Sequence, residues 1–106
     1  MTQPDDGPAP DDARPPVVHD LPGGLPSALE AVLMVADEPI PPVELAAALA
    51  VAVDEVLDAL HELAAEYRGD DGGRPRGFEL CAAGGGWRAY SPPVHAEGVG
   101  RFVQGR

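Results

Sequence analysis

Apolar residues recur at helical spacing in the first part of the chain. In "LPSALEAVLMVADE" one stripe holds Leu25, Leu29, Val32, Leu33 and Ala36. A shorter pattern, "VELAAALA", follows Pro42, which a first helical turn accepts because its missing N–H bonds nothing there. Between the two, Pro39 disfavours helix at Glu38 and leaves an extended piece around Ile40. The pattern predicts two helices joined by an extended segment.

The stretch "VDEVLDALHELAAEYR", residues 53–68, has the most regular pattern and follows a two-residue joint. Seven apolar positions three or four residues apart form one face: Val53, Val56, Leu57, Leu60, Leu63, Ala64 and Tyr67. The other face carries carboxylates. The pattern predicts a third helix, buried on one side and acidic on the other.

The remaining pattern is that of a hairpin. "FELCAA" and "WRAYS" flank Gly84–Gly86 and read as two strands, with Phe78, Leu80 and Ala82 turned to one side. Beyond Pro92-Pro93, apolar residues around Phe102 favour one or two helical turns, although two glycines each weaken them by about 1 kcal/mol. The predicted class is α+β, mainly α: a winged helix-turn-helix of three helices and a two-stranded wing, with a possible short C-terminal helix.

Composition divides the chain into a tail and one domain. Residues 1–24 contain six prolines and five aspartates but few large apolar side chains, which predicts a disordered acidic tail. An acidic docking segment is one interpretation of this tail, and a solubilising leader is the favoured one. Residues 25–106 form the predicted winged-helix domain, since 106 residues suffice for one core.

Charge and residue usage exclude several functions. Eighteen acidic against seven basic residues give a formal charge of −11, which disfavours binding to nucleic acid or anionic lipid. No lysine is present, which excludes a lysine-containing phosphate loop and a Schiff base. The single Cys81 cannot form an internal disulfide, and no apolar run is long enough to span a bilayer. We expect a cytoplasmic protein without membrane contact.

No pattern indicates catalysis or metal binding. The three histidines and Cys81 do not have the paired short spacings of a zinc site, so we expect no metal and no cofactor. The carboxylates are plentiful only because acidic residues are plentiful. We therefore do not expect an enzyme.

The acidic face of the third helix is unusual for a DNA-reading element. Asp58, Glu62 and Glu66 lie four residues apart, where like charges repel. A solvated face is the favoured interpretation, and a contact for a basic partner is the other. Base and phosphate recognition needs cations or amides, which this face lacks. Arginines beside the wing, Arg88 among them, are the one possible DNA contact, but neighbouring carboxylates leave no net positive patch, so ordinary surface charge is the favoured interpretation. A winged-helix DNA-binding transcriptional regulator is the alternative function.

Four apolar residues are candidates for a protein interface. Met34 lies off the apolar stripe of its helix, Trp87 and Tyr90 lie on the wing, and Phe102 lies near the end of the chain. Aromatic residues and Met often anchor interfaces. For Trp87 the alternative is that the wing folds over the core and buries it.

The succession of these motifs resembles the N-terminal half of segregation and condensation protein B (ScpB). The resemblance rests on "ALEAVLMVADEPI", "VELAAALA", "VDEVLDALHELAAEY", "GFELCAAGGGWRAYSPP" and "GRFV", and runs from about Leu25 to Arg106. It implies a non-enzymatic subunit of the bacterial SMC condensin complex, acting in chromosome condensation and segregation and associated with the nucleoid. It also implies a homodimer that binds the kleisin ScpA, and SMC through it, without sequence-specific DNA binding.

The chain departs from the family pattern in two places. Ala50 and Ala52 stand where the family usually has Gly and a Ser or Thr cap, which forfeits about 1 kcal/mol of helix capping. The family also has a second winged helix after the position of Phe102, whereas this sequence stops at Arg106. No kleisin-binding residue is therefore carried over.

Overall fold

A computed structural model describes residues 17–105, and it has the predicted winged-helix architecture. The elements in chain order are a 3-10 turn Val18–Asp20, α1 Gly24–Val35, α2 Pro42–Leu49, α3 Val53–Arg68, β1 Glu79–Ala83, β2 Gly86–Tyr90, a 3-10 turn Pro93–His95 and α4 Ala96–Gln104. The predicted C-terminal helix is present and reaches nine residues, despite its two glycines.

The core is built around α3. This helix buries Val56, Leu60 and Leu63 along its inner face, and α1 supplies Leu29 among others. The predicted apolar face of α2 is confirmed at Leu45 but wrong at Val43, which is 62% exposed. Two residues correspond to roughly 200° of rotation around a helix, so Val43 faces away from Leu45.

The wing is an antiparallel pair to which a third segment is added. β1 and β2 pair in register from Glu79 opposite Tyr90 to Ala83 opposite Gly86. Gly84 and Gly85 form the two-residue turn with φ values of 57° and 83°, the conformation that a hairpin turn of this length prefers. The predicted extended piece at Ile40 pairs with Trp87 through N–H···O distances of 2.9 and 2.8 Å. The segment between α1 and α2 therefore joins the wing.

Trp87 lies in the core, which corrects its assignment to an interface. Its side chain is 8% exposed, and its ring meets the His61 ring edge to face with 5.1 Å between centroids. The alternative, that the wing folds over the core and buries this residue, is confirmed. Of the predicted inward side of β1, only Leu80 is buried, while Phe78 is 47% exposed.

The packed region begins before the predicted boundary at residue 24. Val18 is 5% exposed within the turn Val18–Asp20, which packs against α1. The few apolar side chains in this Pro-rich and Asp-rich stretch, Val17, Val18 and Leu21, gave no periodic signal, which explains the misplaced boundary. The rest of the predicted tail, residues 1–16, lies outside the described residues.

The start of α3 lacks a side-chain cap, as expected from Ala50 and Ala52 in the joint before it. No side chain caps the helix at Ala52, and its first turn carries Asp54 and Glu55. Ala50, which ends α2, has φ 58° and ψ 46°. This left-handed conformation suits glycine and costs other residues about 1–2 kcal/mol.

Candidate protein interface

An open groove of about 560 Å³ lies between α1, the end of α3 and the wing. We call it the α1–wing groove, and its lining includes Leu33, Met34, Tyr67, Phe78, Arg88 and Tyr90. Met34 is 85% exposed and Tyr90 39% exposed. Large, partly exposed apolar side chains around a concave surface are typical of protein interfaces.

Tyr67 fixes one wall of the groove. Its hydroxyl donates a hydrogen bond of 2.5 Å to Oε2 of Glu30, which links α3 to α1. Its ring meets Phe78 edge to face, with 4.8 Å between centroids. Burial raises the pKa of Tyr67 well above its usual value, and the hydrogen bond to the Glu30 carboxylate raises it further. The phenol therefore stays neutral and keeps this link at physiological pH.

The opposite wall belongs to β2. Tyr90 stands opposite Glu79 in the hairpin, and hydrogen bonding to Cys81 and then to Glu79 raises the pKa of Tyr90 to about 12. Arg88 also lines the groove, and its side chain forms no ion pair or hydrogen bond among residues 17–105. The groove therefore combines an apolar surface with one cation that has no acidic partner in this region.

The structure brings together two of the four residues predicted for an interface. Met34 and Tyr90, far apart in sequence, both line the groove, whereas Trp87 is buried and Phe102 lies on α4, 69% exposed. The sequence did not identify Phe78 as a groove residue, because its alternation with Leu80 favoured burial. Arg88 was interpreted as ordinary surface charge.

The outer face of α3 does not have the chemistry of a DNA-reading helix. Its exposed side chains include Asp54, Asp58 and Glu62. The one arginine of the helix, Arg68, forms an ion pair with Asp70 at 2.9 Å. DNA-binding helices present cations and amides to phosphates and base edges, so this face would repel a duplex.

In the loop between α3 and β1, Arg76 is held by neighbouring acceptors. Arg76 forms an ion pair with Glu66 at 3.4 Å and donates to the carbonyl oxygens of Glu66 and Arg74. This arginine is thus used to close the C-terminal end of α3. Its charge is partly neutralised by the neighbouring carboxylate.

The described part of the chain has neither a cluster of metal-ligating side chains nor a membrane-spanning helix. Between residues 17 and 105, no three His, Cys, Asp or Glu side chains lie close enough together to hold a metal ion. Among the helices described, none combines the length and the apolar character needed to cross a membrane.

The fold and the α1–wing groove define a winged-helix protein whose third helix is acidic. The sequence model of the segregation and condensation complex subunit ScpB matches residues 27–106. The chain therefore belongs to the ScpB family. A comparison with curated proteins gives no match.

Solved structures agree with this assignment. ScpB from Mycobacterium tuberculosis is 33% identical with a TM-score of 0.70, over 77% of this chain and 49% of that one. A dimer of the ScpB N-terminal domain complexed with a ScpA peptide is 26% identical with a TM-score of 0.64, over 73% of this chain and 91% of that one. A conserved hypothetical protein from Chlorobium tepidum is 27% identical with a TM-score of 0.60, over 74% of this chain and 48% of that one. The chain thus spans about half the length of two of these relatives.

Proposed function

We propose that this chain is a non-enzymatic subunit of a bacterial SMC condensin complex. In this role it forms a homodimer and holds the kleisin ScpA, and SMC through it, during chromosome condensation and segregation. The observation that supports the proposal best is the similarity to an ScpB N-terminal domain that is a dimer in complex with a ScpA peptide. The proposed location is the cytoplasm, at the nucleoid.

The charge distribution supports a role in protein binding over DNA binding. The formal charge is −11, and the outer face of α3 presents carboxylates where a regulator would present cations. A winged helix with this surface is suited to a scaffold. No observation favours the alternative function, a transcriptional regulator.

We propose that the α1–wing groove is part of the protein interface. Met34 and Tyr90 are two exposed apolar residues of this groove, from different elements, and Phe102 on α4 is a third interface candidate. Apolar side chains at the centre of an interface supply most of its free energy. Charged substitutions at these positions should therefore weaken association without disturbing the core.

Sedimentation equilibrium tests the dimer and its interface together. We expect a concentration-dependent dimer, and we expect Met34→Glu and Tyr90→Arg each to shift the mass towards the monomer. Val43→Glu is the matched control, because Val43 is 62% exposed on α2 and does not line the groove. If wild-type protein stays monomeric at high concentration, the proposed dimer is wrong. If it dimerises but no substitution shifts the mass, only the interface assignment is wrong.

Fluorescence anisotropy separates the scaffold from the regulator. A labelled mixed-sequence duplex should show no change when titrated with this protein at low salt, where electrostatic binding is strongest. Labelled ScpA should show a saturating rise under the same conditions. A duplex signal that saturates and disappears as salt is added would instead favour the regulator.

A further inference from the structure

The loop between α3 and β1, residues 69–78, folds back against the end of α3. The helix ends at Gly69, whose backbone is left-handed with φ 85°. A Cβ at this glycine would lie 2.7 Å from the carbonyl oxygen of Gly73 and 3.1 Å from the nitrogen of Pro75. Glycine accepts both this conformation and this close approach, so the loop can return directly over the end of the helix.

Arg76 holds the returning chain at the end of α3. Its backbone N–H donates to the carbonyl oxygen of Tyr67 at 2.7 Å. Its guanidinium donates to the carbonyl oxygens of Arg74 at 2.6 Å and of Glu66 at 3.3 Å, and it lies 3.4 Å from Oε2 of the Glu66 side chain. One planar group therefore joins the loop to the last turn of the helix, and its fixed fork of donors makes the geometry specific.

Phe78, two residues further along, forms part of the wall of the α1–wing groove. Its ring meets the Tyr67 ring edge to face, yet its side chain is 47% exposed, so surrounding side chains hold it on one side only. Gly77 adds no support, because a Cβ there would meet nothing within 4 Å. The strand pairing begins at Glu79. Arg76 is therefore the anchor that precedes Phe78, and the hairpin is the one that follows it.

We infer that Arg76 is a positioning residue of the proposed interface. By joining the loop to the end of α3, it holds the Phe78 ring against Tyr67 in the groove wall, although Arg76 itself does not line the groove. This inference rests on the proposed homodimer and on the groove as part of its interface. It gives an arginine near the wing a role in association that needs contact neither with DNA nor with the partner.

NMR measures the position of the Phe78 ring in the full chain. Two phenylalanines and two tyrosines are present, so their ring signals can be separated. We expect nuclear Overhauser contacts between the Phe78 and Tyr67 rings in wild type, and their loss in Arg76→Gln. Arg74→Gln is the matched control, because it removes the same charge from the same loop while only the carbonyl oxygen of Arg74 bonds to Arg76. It should keep the ring contacts of wild type.

Sedimentation equilibrium measures whether the ring position matters for association. Phe78→Ala should raise the dimer dissociation constant about tenfold, as the loss of an aromatic anchor in an interface does. Arg76→Gln should raise it about threefold or more when Phe78 is present, but less than about twofold in Phe78→Ala, because a residue that acts through another is not additive with it. Neither side chain belongs to the buried core, so each variant should fold, which circular dichroism checks.

The outcomes separate this inference from the proposed function. Ring contacts that persist in Arg76→Gln, or an effect of Arg76→Gln that is the same with and without the Phe78 ring, would overturn the positioning role and leave the scaffold proposal in place. A dimer that Phe78→Ala does not weaken would show that this wall lies outside the interface, which also overturns the inference. A wild-type monomer would contradict both the homodimer and the role of Arg76 in it.

Discussion

α3 and α4 each have apolar residues on one side and charged residues on the other. The inner face of α3 includes Val56, Leu60 and Tyr67, all buried in the core, whereas no residue of α4 is buried. The difference shows that amphipathic spacing indicates that a helix needs an apolar partner, but not where that partner lies. For α3 the partner is in the same domain, whereas no part of the described domain buries a residue of α4.

The largest expected difference comes from replacing one apolar side chain on each helix by alanine. Leu60 is fully buried, so Leu60→Ala should lower the free energy of unfolding by about 2–5 kcal/mol. Val103→Ala on α4 should lower it by less than about 0.5 kcal/mol at protein concentrations that favour the monomer. Urea unfolding measures both values. A large loss for Val103→Ala would mean that α4 packs against its own domain.

Glycine substitutions give the next largest difference. A Cβ at Gly86 would lie 2.7 Å from backbone atoms of Pro39 and Ile40, so Gly86→Ala should destabilise the fold by about 1–3 kcal/mol. At Gly98 in α4 a Cβ meets nothing within 4 Å, and Gly98→Ala should instead stabilise the helix by up to about 1 kcal/mol. Thermal unfolding followed by circular dichroism should show opposite shifts, and shifts in the same direction would contradict the close packing at Gly86.

The joint before α3 is expected to be strained. Ala50 has a left-handed backbone with φ 58°, so Ala50→Gly should stabilise the protein by about 1 kcal/mol. Ala48→Gly, at an exposed position inside α2, is the control and should destabilise it by about 1 kcal/mol. Urea unfolding of the two variants checks the sign. Destabilisation by Ala50→Gly would show that the joint is not strained.

The link from α3 to α1 should depend on pH. Tyr67→Phe removes the hydrogen bond to Glu30 and should cost about 1 kcal/mol at pH 8. The pKa of Tyr67 is raised in the folded state, so its contribution is present below the unfolded pKa near 10 and is lost as pH rises above that value. Urea unfolding at pH 8 and pH 10.5 should show that wild type loses more stability than Tyr67→Phe.

Two features of the sequence allow the difference in stability between wild type and Tyr67→Phe to be assigned to Tyr67. There are no lysines to titrate in the same range, and the other tyrosine, Tyr90, is present in both proteins. Its pKa is raised to about 12, so it contributes the same loss with pH to each. An equal loss in wild type and Tyr67→Phe would contradict the raised pKa of Tyr67.

The smallest expected effect is on the outer face of α3. Glu62→Gln removes like-charge repulsion with Asp58 and Glu66 and should stabilise the helix by about 0.2–0.5 kcal/mol for each pair. The gain should disappear in high salt, where surface charges are screened. Urea unfolding in low and high salt tests this, and a loss of stability in low salt would show that Glu62 makes a favourable contact.

Much of the fold could be predicted from sequence, because its signals are local. The spacing of apolar residues predicted the helices, and the glycines between two strands predicted the turn of the wing. The packing of Val18 could not be predicted in this way, and the burial of Trp87 was only one of two interpretations, since both depend on tertiary contacts. The pairing of Ile40 with Trp87 is also non-local.

The candidate interface was predicted only in part for the same reason. Met34 was recognisable because it falls outside the apolar stripe of α1, which is a property of the helix alone. Its proximity to Tyr90 depends on how the wing packs against α1. The alternation of Phe78 with Leu80 favoured burial, and Arg88 had no periodic signal, so their place in the groove required the three-dimensional structure.

The pairing of Ile40 with Trp87 also bears on how the domain unfolds. This pair closes a loop that contains α2, α3 and β1, so the hairpin cannot detach while the segment between α1 and α2 keeps its place. Helices and wing should therefore melt in one cooperative transition. α4 lies outside that loop and has no buried residue, so it can fray without loosening the rest.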